Sequence, residues 1–103
     1  MLDLDKKYLE KVKRILGEIV PGCEVRAFGS RVNGLAWKYS DLDLVLIAGK
    51  KIADRRIARL KDAFSESDLP FMVDVLDWND ISEDFRKIIE KEWETVQYPE
   101  EMR

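Results

Sequence analysis

Apolar residues return at helical spacing near the start of the chain, at Tyr8, Val12, Ile15, Leu16 and Ile19, with lysines and glutamates between them. That pattern predicts an amphipathic helix ending at Val20, because Pro21-Gly22 is a stop and turn signal. The periodicity then changes. Cys23 to Phe28 reads as a short strand running straight into Gly29-Ser30, and Arg31 to Tyr39, which holds Asn33-Gly34, reads as a loop with at most one helical turn. Asp41 to Ala48 is the clearest strand, rich in Leu, Val and Ile and closed by Gly49-Lys50. Ile57, Leu60 and Phe64 share one face of a helix predicted from Ile52 to Phe64. Ser65 to Pro70 is a turn, and Phe71 to Leu76 is a third strand, broken around Asp77 to Asp80. Ile81, Phe85, Ile88, Ile89 and Trp93 form a last amphipathic helix, with Asp80 and Glu83 resembling a capping box at its start.

The predicted order is α-β-loop-β-α-β-α. Strands this short cannot bury their own faces, so helices must cover at least one side of the sheet. The expected fold class is α+β, a small mixed β-sheet packed against helices. A chain of 103 residues has room for one such domain, spanning residues 1–103, and little else.

Composition narrows the chemistry. Hydrophobic residues make up 46% and charged residues 38%, which suits an ordered core under a densely ionic surface. The net charge of −3 leaves no bulk electrostatic footprint for a long nucleic acid, so a nucleic-acid partner is not expected. The absence of histidine excludes His-based acid–base and triad chemistry and the usual zinc sites. The single cysteine, Cys23, rules out an intramolecular disulfide, fits a reducing compartment and reads as a small buried hydrophobe. Met1 to Lys7 is too charged for a signal peptide. The longest uninterrupted apolar run, Leu44 to Ala48, is far short of a membrane span. A soluble cytoplasmic protein is expected, with no membrane partner.

Three aspartates stand inside or at the mouth of apolar strands, where charge is costly. Asp41 and Asp43 are two apart and project from one face of a strand, while Leu42, Leu44 and Leu46 point to the other. Asp74 lies between Val73 and Val75. With those strands adjacent and in register, all three carboxylates converge. At a separation of about 4 Å and an effective dielectric of about 20, each pair repels by about 4 kcal/mol. Either the carboxyl pKa values rise or a cation binds among them. An all-oxygen set without His or Cys favours a hard cation, Mg²⁺ or Mn²⁺. A D-x-D pair alone is weak, since it also serves as a solvated strand mouth or turn cap. Gly29-Ser30 strengthens the reading: a glycine corner after a strand offers backbone N–H groups and a hydroxyl to a phosphate, although an ordinary turn looks the same. Arg31 and Lys38 could add positive charge beside it, or simply be solvated.

Taken together, Gly29-Ser30, ten residues, then Asp41-Leu42-Asp43, and later an apolar-Asp-apolar strand, resemble the nucleotidyltransferase superfamily that includes DNA polymerase β. The stretch from Ala27 to Ala36 and the run Ser40-Asp41-Leu42-Asp43-Leu44 look like its smallest branch. Those are the minimal nucleotidyltransferases that pair with HEPN-domain proteins as toxin–antitoxin modules. The resemblance covers about residues 10–95, and it implies a polymerase β-like nucleotidyltransferase core. It further implies that Asp41, Asp43 and Asp74 are catalytic and hold two divalent ions, Mg²⁺ or in its place Mn²⁺. Gly29 and Ser30, with Arg31 and Lys38, would bind the phosphates of a nucleoside triphosphate such as ATP, and Asp74 would act as general base. Many relatives carry a second basic residue where this chain has Asn33, which removes a phosphate contact from that position.

The implied reaction moves a nucleoside monophosphate, AMP from ATP, to a hydroxyl; in the family this can be a tyrosine of a partner HEPN toxin, silenced by the antitoxin. A second reading is a non-catalytic binding module that neutralises or scaffolds a partner by contact. A third is transfer to a small molecule such as an antibiotic hydroxyl, which needs a pocket built by a dimer. Homo- and hetero-oligomers both stay open. Trp37, Tyr39 and Trp78, in loops near the active-site end, read equally as a partner patch or as cover for the core.

Overall fold

In the computed structural model, which describes residues 2–100, helix α1 (Lys6–Ile19) starts on Asp5, whose carboxylate accepts from the Lys7 backbone N–H. It ends as Pro21-Gly22 predicts, with the Val20 N–H still donating to Leu16. Strand β1 (Glu24–Phe28), a single-turn helix α2 (Ser30–Asn33) and strand β2 (Leu42–Ile47) follow. Helix α3 (Asp54–Glu66) leads to strand β3 (Val73–Asp77), a 3-10 turn (Trp78–Asp80), helix α4 (Glu83–Lys91) and strand β4 (Glu94–Gln97).

The strands form one sheet in the order β3-β2-β1-β4. β1 runs antiparallel to β2 and β4, whereas β2 and β3 are parallel and need the α3 crossover to join them. The sheet is therefore mixed, and the fold is α+β as expected. Leu42, Leu44 and Leu46 point to one face, where Val25, Ala27 and Val75 meet Val12 and Leu16 of α1 and Leu60 and Phe64 of α3. Cys23 is buried in this core, as a small hydrophobe should be, and burial pushes its thiol pKa up. On the opposite face α4 covers a smaller cluster of Phe28, Val45 and Ile89, with Trp78 and Phe85 packed against it. No helix among the described residues is long and apolar enough to cross a membrane.

Two expectations are corrected here. The last helix stops at Lys91 instead of continuing through Trp93, and Glu94–Gln97 adds a fourth, edge strand. Trp93 packs its ring against the Arg26 guanidinium, 3.9 Å from ring centroid to Cζ. That contact lies beyond the helix, so a residue apolar enough to extend a helical stripe in fact fastens the sheet. The cap of α4 is Ser82, whose hydroxyl accepts from the Phe85 N–H at 3.1 Å, not Asp80. Asp80 is two residues too early, inside the 3-10 turn, so no capping box with Glu83 forms.

Candidate active site

The parallel ladder between β2 and β3 pairs Asp43 with Asp74, and β1 pairs Phe28 with Asp43. Three neighbouring strand ends thus set Gly29, Asp43 and Asp74 side by side. The alternation that buries Leu42 and Leu44 turns Asp43 to the other face of the sheet, the face of Val45. Asp41 falls one residue before the strand and is exposed, while Leu42 is tied down by its N–H to the Met72 carbonyl at 2.9 Å.

Asp43 is half-buried, and its carboxyl is raised from the ordinary value to about 6, first by burial and then by repulsion from Asp74 and Asp41. The three aspartates are therefore close enough to feel one another. Among the described residues, however, no three acidic side chains are arranged so that they could hold an ion as they stand. Full convergence on one spot is not what the structure shows. Asp41 lies outside the pleat that fixes the other two. The donor set is nonetheless all oxygen, of the kind that suits a hard divalent cation.

Gly29 has a φ of +78° and stands directly against Asp43. A Cβ there would come 3.4 Å from the Asp43 carboxyl carbon and would overlap Oδ2. The glycine therefore answers both to a backbone conformation that side chains disfavour and to the close approach of a carboxylate. Its carbonyl accepts from the N–H groups of Val32 and Asn33, which starts α2 at Ser30.

Arg31, expected beside a phosphate, is placed otherwise. It is only 6% exposed, and its guanidinium donates to the carbonyls of Ser40, Asp3 and Lys38 at 2.9, 2.9 and 3.3 Å. The same group lies 4.5 Å from the centre of the Phe71 ring. Arg31 thus clamps the 31–40 loop and the N-terminal segment, because a buried guanidinium must find acceptors and three backbone carbonyls provide them. Arg31→Met should lower stability by about 3 kcal/mol in urea unfolding, and Arg31→Lys should rescue little of it, since an ammonium cannot span the three carbonyls. Unchanged unfolding in both variants would contradict the clamp.

Lys38 is exposed, with its ammonium over the Tyr39 ring. It borders a cavity of about 380 Å³ shared with Arg31 and Tyr8, which meets the groove that holds Asp41 and Asp74 along Tyr39, Pro70 and Phe71. Asn33 is also turned to local use, its side-chain oxygen accepting from the Leu35 N–H. Trp37 and Tyr39, 67% and 52% exposed, pack edge to face at the loop surface. Trp78 instead covers the smaller core under Arg86.

Two residues with roles here were not singled out from sequence. Ser40 is buried and its hydroxyl accepts from the Trp37 N–H at 2.9 Å, which sets the approach to Asp41; its place directly before the D-x-D pair was the available signal. Asp77, a further strand-borne acid, is buried but accepts from the N–H groups of Ile52 and Asn79, and so caps turns.

This arrangement sets a glycine corner against a strand-borne carboxylate with a second carboxylate in register. Residues 1–94 match the family described as poly(A) RNA polymerase, mitochondrial-like, central palm domain. A probable protein adenylyltransferase of Haemophilus influenzae, MntA, is 52% identical over 99 residues, covering 96% of this chain and 87% of that protein. The chain belongs to this nucleotidyltransferase palm family and, within it, to the MntA group. Its fold is shared with a toxin–antitoxin complex solved with AMP-PNP, at a TM-score of 0.73, 19% identity and coverage of 89% of this chain and 73% of that one. A tri-AMPylated Shewanella oneidensis HEPN toxin in complex with MNT antitoxin matches at a TM-score of 0.69 and 18% identity, covering 94% and 74%.

Proposed function

We propose that this chain is a divalent-metal-dependent protein adenylyltransferase that moves AMP from ATP to a tyrosine of a partner HEPN toxin and so acts as its antitoxin in the cytoplasm. The observation that carries this is the contact of Gly29 with Asp43, with Asp74 paired to Asp43 on the far side. A glycine corner beside those carboxylates supports a phosphate site next to the groups that would handle the reacting atoms. The MntA relative is named a probable protein adenylyltransferase.

Asp41, Asp43 and Asp74 would hold Mg²⁺, or Mn²⁺ in its place, and two such ions would supply Lewis-acid polarisation of the phosphates and a lowered pKa for the attacking hydroxyl. The Gly29 corner and the Ser30 hydroxyl and N–H bind the β- and γ-phosphates. Asp74, exposed on its edge strand, accepts the proton of the incoming hydroxyl. A bond forms between that oxygen and the α-phosphorus, the α-phosphorus bond to pyrophosphate breaks, and pyrophosphate leaves. Arg31 and Ser40 keep the loop that carries Asp41 in place, and Lys38 serves the loop surface, not the phosphates.

Label position tests the reaction type. With the purified chain, Mg²⁺ and the cognate HEPN toxin, ATP labelled at the α-phosphate should mark the toxin, whereas γ-labelled ATP should not. Transfer of the γ label would mean phosphoryl transfer and would overturn the proposal.

A further inference from the structure

The sheet order decides which side of the carboxylates is left for the acceptor. Gly29-Ser30 follows β1, Asp43 stands on β2 and Asp74 on β3, so the phosphate corner and Asp74 flank Asp43 on opposite sides. Among the described residues β3 is an edge strand, paired only with β2. At that edge opens a groove of about 870 Å³ whose lining includes Tyr39, Asp41, Lys61, Asp62, Met72 and Asp74. Neither Gly29 nor Ser30 borders it. Its charged lining is three carboxylates to one ammonium, and Tyr39 and Met72 add exposed aromatic and thioether surface, Met72 at 75% exposure.

We propose that this groove is the acceptor site and that it takes a tyrosine carried on a basic segment of the partner, an inference that rests on the adenylyltransferase reading above. A phenol ring gains aromatic and sulfur contacts from Tyr39 and Met72. Its hydroxyl enters beside Asp74, which takes the phenolic proton as the oxygen bonds to the α-phosphorus and pyrophosphate departs. Lysines or arginines beside that tyrosine face Asp62 on the exposed side of α3 and reduce the repulsion that the carboxylates would exert on an acidic segment. The nucleotide, held on the other flank, does not compete for the groove.

Steady-state AMP transfer from ATP to the cognate HEPN toxin tests this, with Asp62→Lys, Asp62→Asn and, as a charge reversal on α4 outside the groove, Glu90→Lys. Asp62→Lys should raise the KM for toxin about tenfold and Asp62→Asn about threefold, leaving the KM for ATP and the kcat at saturating toxin unchanged. Glu90→Lys should do nothing, and raising salt should shrink the Asp62 effect. An unchanged toxin KM in both Asp62 variants would overturn the proposal, as would an equal effect from Glu90→Lys. A change in the KM for ATP instead would place the nucleotide base in the groove and also overturn it. Failure of the unaltered protein to transfer AMP to any toxin would instead remove the underlying adenylyltransferase reading.

Discussion

Asp43→Asn is expected to yield a protein that is inactive and yet more stable than the natural one in the absence of metal. AMP transfer should fall by at least about 1,000-fold, because the substitution removes the charge nearest the phosphate corner, the one held in register with Asp74. The stability gain follows from the same charge. The Asp43 carboxyl titrates at about 6 in the folded protein, against about 3.9 for an unfolded aspartate. The folded state therefore holds that proton more tightly, and stability falls as pH rises through the interval between the two values. The penalty is absent below about pH 4 and complete above about pH 6, and asparagine never incurs it. The full difference corresponds to about 3 kcal/mol. Asp43 is half-buried, and solvent screening brings the expected gain to about 1 kcal/mol, a Tm higher by about 5 °C. Thermal unfolding in EDTA should show the Asn variant above the natural protein at pH 7.5 and level with it at pH 4. Added Mg²⁺ should raise only the natural protein. A lower Tm for Asp43→Asn at pH 7.5 would contradict the view that this carboxylate is held at a cost for function.

Gly29→Ala should be the second most damaging change, for two separable reasons. At a φ of +78° an alanine is strained by about 1–3 kcal/mol, and its methyl must displace the Asp43 carboxylate. We expect a Tm lower by about 5–10 °C and turnover down by about 100-fold or more even where the protein is fully folded. Ser30→Ala removes one hydroxyl without backbone strain. It should leave Tm within about 2 °C and lower kcat/KM about tenfold, read as a higher KM for ATP. Normal ATP binding and turnover in folded Gly29→Ala would show that the corner is an ordinary turn.

Much of this was legible in the sequence because burial and chemistry leave opposite marks. Leu42, Leu44 and Leu46 announce a strand with one face in a core, so the intervening Asp43 stands out as a charge with no structural reason to be there. The same reasoning places Asp74 between Val73 and Val75, and the parallel register brings the two together. The interval from Gly29-Ser30 to Asp41 and Asp43 then carried the family resemblance, which the 52% identity to MntA bears out. What stayed hidden depends on contacts distant in sequence. Glu94–Gln97 is only four residues long and becomes a strand because β1 offers it an edge, something no local pattern records. Arg31 looks like a phosphate ligand beside Gly29-Ser30, but carbonyls at positions 3, 38 and 40 converge on it only once the chain is folded. Ser82 outranks Asp80 as a cap because the 3-10 turn after β3 delays the helix.

The central claim is that Asp43 and its neighbours transfer AMP to a tyrosine of a HEPN toxin, and not that the chain restrains its partner by contact. The intact mass of the cognate toxin, after incubation with this chain, ATP and Mg²⁺, tests it most directly, with tandem mass spectrometry to locate any adduct. The expected result is one or more AMP groups on tyrosine with the natural chain and none with Asp43→Asn. A toxin that is neutralised equally by both chains while its mass stays unchanged would contradict the account.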